Sequence, residues 1–213
     1  MSSKNTFAKL RIGQLGIAFL FLVVLAAGIY FRVSGLFWGE YQYLHPDERF
    51  LVWVTADISP VADVGSYFDT ANSSLNPNNR GHGFFVYGDF PIIFVRYLMD
   101  GVFENPGWQE ALQTGRLVST LFDLGSVILI FFIGKKIFNR RVGLIAMAFT
   151  AMSVVNIQQA HFYTVDTVAT FFATLAVYIA VHIAMHHFEP NFTQEENPLE
   201  KEQSSIFSRS NSK

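Results

Sequence analysis

The stretch Tyr43-Leu44-His45-Pro46-Asp47-Glu48-Arg49 sets two adjacent carboxylates beside a histidine, a short way past the first strongly apolar segment. Ionisable groups are costly to hold near lipid, so the pair invites a functional explanation, and the chemistry it suits is chemistry at a lipid–water boundary. Arg116, His161 and Asp166 stand at the edges of later apolar runs, and Asp123 stands inside one. Each also has a structural reading. Asp47 after a proline suits the cap of a helix running through Phe50 and Leu51, with Glu48 in its first turn. Arg116 suits an interfacial anchor that snorkels, Asp166 a helix amino-terminal charge, and His45 and His161 structural or solvated roles. A metal site on His45, Asp47, Glu48 or Asp166 lacks tight ligand spacing, so no metal ligand is assigned and a divalent cation is left open.

The elements that must position these residues are set by composition. Of 213 residues, 51% are hydrophobic and 23 are phenylalanine, and mean hydropathy is +0.29, with the apolar residues gathered into long runs. That pattern implies an all-α, multi-pass membrane protein, because within lipid only a helix satisfies its own backbone groups in a single segment. About four spans are expected, at 15–31, 117–138, 142–157 and 165–185, the third slightly short of the roughly 20 residues a bilayer asks for. A net charge of −2 gives no reason to expect a nucleic-acid partner, and the absence of cysteine excludes disulfides and thiol chemistry.

Basic residues in short flanks give the orientation. Lys4, Lys9 and Arg11 precede the first span, and Lys135, Lys136, Arg140 and Arg141 crowd the turn between the second and third, so both are expected on the cytoplasmic side. A cytoplasmic amino terminus over 1–14, a membrane domain over 15–187 with an outer loop over 38–115, and a polar, disordered, cytoplasmic tail over 188–213 follow. The setting expected is a bacterial-type plasma membrane with both termini cytoplasmic. Cleavage of a signal peptide near Ala26-Ala27-Gly28 is disfavoured, since the apolar run exceeds the usual core and continues through Tyr30 and Phe31. The outer loop holds ten acids, three arginines (Arg49, Arg80, Arg96) and no lysine. Glu48 to Ile58 reads as a helix, Ser59 to Arg80 as turns, and Phe84 to Met99 as an amphipathic helix resting on the outer leaflet, because Asp89 and Arg96 argue against a span there. Asn72-Ser73-Ser74 and Asn191-Phe192-Thr193 match a glycosylation acceptor pattern that is frequent by chance. Asp123, about two turns into the second span, needs another helix or a polar cleft to face, and it shares a face with Arg116.

The order of an amino-terminal span, a loop opening with His45-Pro46-Asp47-Glu48, Gly115-Arg116-Leu117 entering the second span, a basic turn, and His161-Phe162-Tyr163-Thr164-Val165-Asp166 entering the fourth resembles the integral-membrane glycosyltransferases of the GT-C fold. Within them it looks most like glycosyltransferase family 39, the protein O-mannosyltransferase and aminoarabinose-transferase group, over about residues 10 to 187. The resemblance implies a polyprenyl-phosphate-linked sugar as donor, membrane lipid as surroundings and transfer to a hydroxyl at the outer face. It puts the catalytic acids at Asp47 and Glu48, the lipid-phosphate contact at Arg116, a second acid at Asp166, and substrate contacts at His45 and His161. A carboxylate that takes the acceptor proton lowers the barrier, and a phosphate leaving group departs without protonation but develops charge that a guanidinium can stabilise. Such enzymes carry many more spans, so the chain is read as the amino-terminal part of one, with a downstream or partner polypeptide completing the cavity. Two other classes stay open: a transporter component using Asp123, Arg116 and Asp166 as a charged path, and a noncatalytic assembly or lipid-binding protein.

Overall fold

The computed structural model describes residues 2–187, with side chains over 14–185. The 188–213 tail, the Asn191 triplet and the side chains of Lys4, Lys9 and Arg11 lie outside the described residues. The described fold is all-helical: α1 (Ser2–Val33), α2 (Pro46–Asp57), α3 (Val64–Phe68), α4 (Asp89–Val102), α5 (Trp108–Ile137), α6 (Arg140–Ala151), α7 (Val154–Ala160) and α8 (Val165–His187), with a 3-10 turn at Pro77–Arg80 between α3 and α4.

Among the described residues, three helices are long and apolar enough to cross a membrane, over Gln14–Val33, Trp108–Ile137 and Val165–Met185. The second starts earlier than its apolar run, at Trp108, because the Glu110 carboxylate accepts the Gly107 N–H at 2.9 Å and closes the first turn. The expected continuous span over 142–157 is instead interrupted: α6 and α7 meet at a 60° bend. Ser153 takes an extended conformation at the start of α7, and twelve residues of α6 reach only about 18 Å. Counted together, the pair has the length and composition of a fourth crossing. Gly143 packs against Gly134, the Ala160 carbonyl accepts from Thr120 Oγ1 at 3.0 Å, and Tyr163 lies on Gly115, so the chain travels back along α5 for about 28 Å. Among the described residues this gives three candidate spans, and a fourth where the bent pair is counted as one.

A break inside lipid exposes carbonyls that need donors. Arg32, at the end of α1, supplies them: its Nη1 donates to Ala151 O at 2.8 Å and Gly28 O at 3.2 Å, and its Nη2 to Thr150 O at 3.4 Å. Its Nε donates to the Asp123 carboxylate, and both side chains are buried. Asp123 therefore faces the helix-capping Arg32, not Arg116. The membrane half of the core fills in around this pair with Val127, Phe131 and Met147.

The 38–115 loop folds into a cap, in which the helices expected near 48–58 and 84–99 form as α2 and α4. α2 and α4 pack on the first half of α5 through Leu51, Val54, Ile92, Val95, Met99 and Leu112, all buried. α4 is amphipathic, with Ile92, Val95 and Met99 inward and Phe90, Phe94 and Leu98 exposed. Arg96 sits on the inward side because it pairs with Asp100 at 2.7 Å and donates to Ala56 O at 2.9 Å, which caps the carboxyl end of α2.

Candidate active site

Pro46 fixes the first turn of α2, and His45 occupies the cap position without a side-chain capping bond, so Asp47 and Glu48 both fall in the first helical turn. Adjacent on a helix, the two carboxylates point in different directions, and their environments diverge.

Glu48 points inward and is 0% exposed. Its two oxygens receive Arg116 Nε and Nη2, each at 2.8 Å, and Oε1 also accepts the Tyr163 backbone N–H at 2.8 Å. This parallel fork is the strong geometry for a carboxylate and a guanidinium. Arg116, 1% exposed, turns Nη1 to Leu36 O and Trp38 O, both at 3.0 Å, and its guanidinium lies 5.5 Å from the Trp38 ring. One ion pair therefore ties α2, α5, the connection after α1 and the segment entering α8. Tyr163 completes the tie: its hydroxyl lies 3.0 Å from Thr55 Oγ1 and its ring fills the space that a Cβ at Gly115 would need. Burial pushes the Tyr163 hydroxyl pKa well up.

Asp47 is only half-buried, and one oxygen accepts the Tyr87 hydroxyl at 2.9 Å. Asp166, exposed in the first turn of α8, is close enough for its charge to act on the same tyrosine. The hydrogen bond to Asp47, then desolvation, then the charges of Asp47 and Asp166 raise the Tyr87 pKa above its ordinary value. Two carboxylates from distant parts of the chain thus act on one hydroxyl, Asp47 by a hydrogen bond and Asp166 through its charge.

The histidines differ. The His45 ring packs at 4.8 Å from that of Phe162, and its buried Nδ1 has no protein partner. Such an atom is one that water or a ligand would satisfy. His161 is engaged on both ring nitrogens, Nδ1 at 2.7 Å from Ile157 O and Nε2 at 3.0 Å from Ser34 O, so it fastens the α7 end to the end of α1. Among the described residues, no three of His, Asp and Glu converge to hold a metal ion.

The structure brings together Asp47, Glu48, Arg116 and the segment from His161 to Asp166, with His45 on their edge. Arg116 is engaged in a manner that spacing did not suggest, and Asp123 belongs to a separate pair. Sequence reasoning missed Tyr87, Tyr163 and Arg32. A signal existed for Arg32, a lone cation at the end of one span opposite a lone acid within another; none existed for Tyr87, one of five tyrosines in the 38–115 loop.

Residues 95–189 match the family model of the dolichyl-phosphate-mannose-protein mannosyltransferases. The match runs from within α4 through the whole of α8, taking in Arg116, His161 and Asp166 but leaving out His45 to Glu48. It supports kinship with that superfamily of membrane glycosyltransferases. No curated protein and no solved structure matches the chain.

Proposed function

We propose that the chain forms the outer-face catalytic region of a membrane glycosyltransferase that moves a sugar from a polyprenyl phosphate to a hydroxyl acceptor, alone or with a polypeptide that walls the rest of the cavity. The observation that carries this reading is the unequal treatment of the acidic pair. Glu48 accepts three N–H bonds in a closed site, whereas Asp47 keeps an oxygen beyond the one bonded to Tyr87.

Asp47 is then the base. As the acceptor oxygen bonds to the anomeric carbon, its proton passes to Asp47, and the carbon–oxygen bond to the phosphate breaks with the electron pair leaving on the phosphate. No acid is needed for that departure. Tyr87 holds the carboxylate's orientation, Asp166 faces the sugar or acceptor hydroxyls from the start of α8, and the unpartnered His45 Nδ1 is a substrate contact. Glu48 and Arg116 hold the two walls together, and Arg116 influences the phosphate only through that position. His161 is a positioning residue by the same argument.

The test is transfer from a polyprenyl-phosphate sugar by the chain with any partner polypeptide it has. Asp47→Asn is expected to lower the rate about 10²- to 10⁴-fold while the melting temperature stays near that of the wild type. An unaltered rate removes Asp47 as the base.

A further inference from the structure

The opposite end of the bundle carries a second feature that the transfer reaction does not use. A cavity of about 470 Å³ runs between α1 and α5, lined by Ile17, Ala18, Phe21, Leu22, Phe131 and Phe132 and closed at one end by Gln14, Lys135 and Arg140. Its volume is within the range of ordinary ligand sites. Along α1 the lining passes from Gln14 to Leu22, so the polar end lies at the basic turn and the apolar length points toward the middle of the membrane. An adjoining hollow shares Ile17 and Arg140 and extends past Asn139 to Arg141.

Charge is one-sided here. No acid occurs before Glu40 or between Asp123 and Asp166, so α1, the second half of α5 and α6 contribute only cations. Lys135, Arg140 and Arg141 form no ion pair among the described residues, and Lys135 Nζ rests 5.7 Å from the Phe132 ring. The other arginines in the membrane half behave differently: Arg32 and Arg116 are buried and bonded to carboxylates.

From this juxtaposition we infer that the α1–α5 groove binds one anionic phospholipid, its phosphate between Lys135 and Arg140 and an acyl chain along Ala18, Phe21 and Phe131. A cationic mouth attracts an anionic headgroup, and the apolar trough below it has the direction of a chain continuing into the bilayer. A free phosphate would use the mouth but gain nothing from the trough.

The full-length protein, purified and delipidated in neutral detergent, is incubated with phosphatidylglycerol or phosphatidylcholine, and bound lipid is counted by native mass spectrometry. The wild type is expected to hold one phosphatidylglycerol about tenfold more readily than phosphatidylcholine. Lys135→Gln with Arg140→Gln lowers phosphatidylglycerol to the phosphatidylcholine level. Ala18→Phe, which fills the trough and leaves the cations, abolishes the preference too. Arg49→Gln with Arg80→Gln, the same charge change on the outer loop, keeps it. Monodisperse elution and native helical content certify each variant. Equal retention of the two lipids by the wild type overturns the inference. So does a preference that survives the Lys135/Arg140 change or is lost with Arg49/Arg80, and so does full displacement of the lipid by millimolar glycerol phosphate.

Discussion

At the scale of single residues, burial decides which member of an acid pair remains available. Asp47 and Glu48 are neighbours of the same chemistry, yet one meets a tyrosine hydroxyl and the other a guanidinium fork. Replacing Glu48 with Gln leaves the buried Arg116 without its counter-charge, and removing one partner of such a pair costs about 3–5 kcal/mol. The melting temperature of Glu48→Gln is therefore expected to fall sharply, whereas that of Asp47→Asn barely moves. A second consequence concerns alkali. Tyr43, Tyr87 and Tyr163 all have raised pKa values, Tyr43 and Tyr163 chiefly from burial and Tyr87 chiefly from its bond to Asp47. Above a pH of about 10 the unfolded chain loses these protons before the folded one does, so stability present below that pH declines as pH rises toward the folded values. Thermal melts between pH 8 and 12 should show that decline, and Tyr163→Phe should flatten it. Neither the roles nor the pairing was fully legible in advance. Type and order singled out Glu48 and Arg116, but the groups that fix Arg116, the carbonyls of Leu36 and Trp38, have no side-chain signature.

At the scale of elements, long apolar runs were readable as helices because lipid leaves the backbone no other single-segment solution. The break between α6 and α7 was not readable, because nothing in Ala151-Met152-Ser153-Val154 departs from an apolar helix by more than one serine. It exists where a distant arginine pays for it. Arg32 covers the carbonyls of Thr150 and Ala151, and Asp123 balances Arg32. Arg32→Met should expose those carbonyls and strand Asp123, lowering stability by about 3–5 kcal/mol and raising amide hydrogen exchange over 150–156 more than elsewhere. Close helix contacts give an independent handle. A Cβ at Gly115 would come 2.2 Å from Tyr163 Cγ, a distance no relaxed packing permits. Gly115→Ala must displace Tyr163, and with it the backbone donor to Glu48, at a cost of at least about 1–3 kcal/mol. Gly16→Ala, with open space around its Cβ, should leave the melting temperature unchanged or slightly higher.

At the scale of the whole molecule, the two ends of the described bundle divide the charge. Among the described residues, acids gather at the end holding α2, α4 and the start of α8, and cations without an ion pair at the turn between α5 and α6. The stretches of α1 and α8 that cross are each only 6% buried, so their flanks are apolar surface for lipid or for further helices. Positive flanks favour the cytoplasmic face, so the basic turn between α5 and α6 is expected there. The native absence of cysteine makes the expectation directly measurable. Asn78→Cys, in the exposed 3-10 turn, should react with a membrane-impermeant maleimide on intact cells. Phe138→Cys, 69% exposed in the basic turn, should react only after permeabilisation. Gln158→Cys on α7 decides how the bent pair crosses: because Ala160 and Tyr163 return to the Thr120 and Gly115 level of α5, label should reach it from the same side as Asn78→Cys. Labelling of Gln158→Cys from the Phe138 side would make α6 and α7 a re-entrant hairpin, and would separate Asp166 from Asp47 across the bilayer.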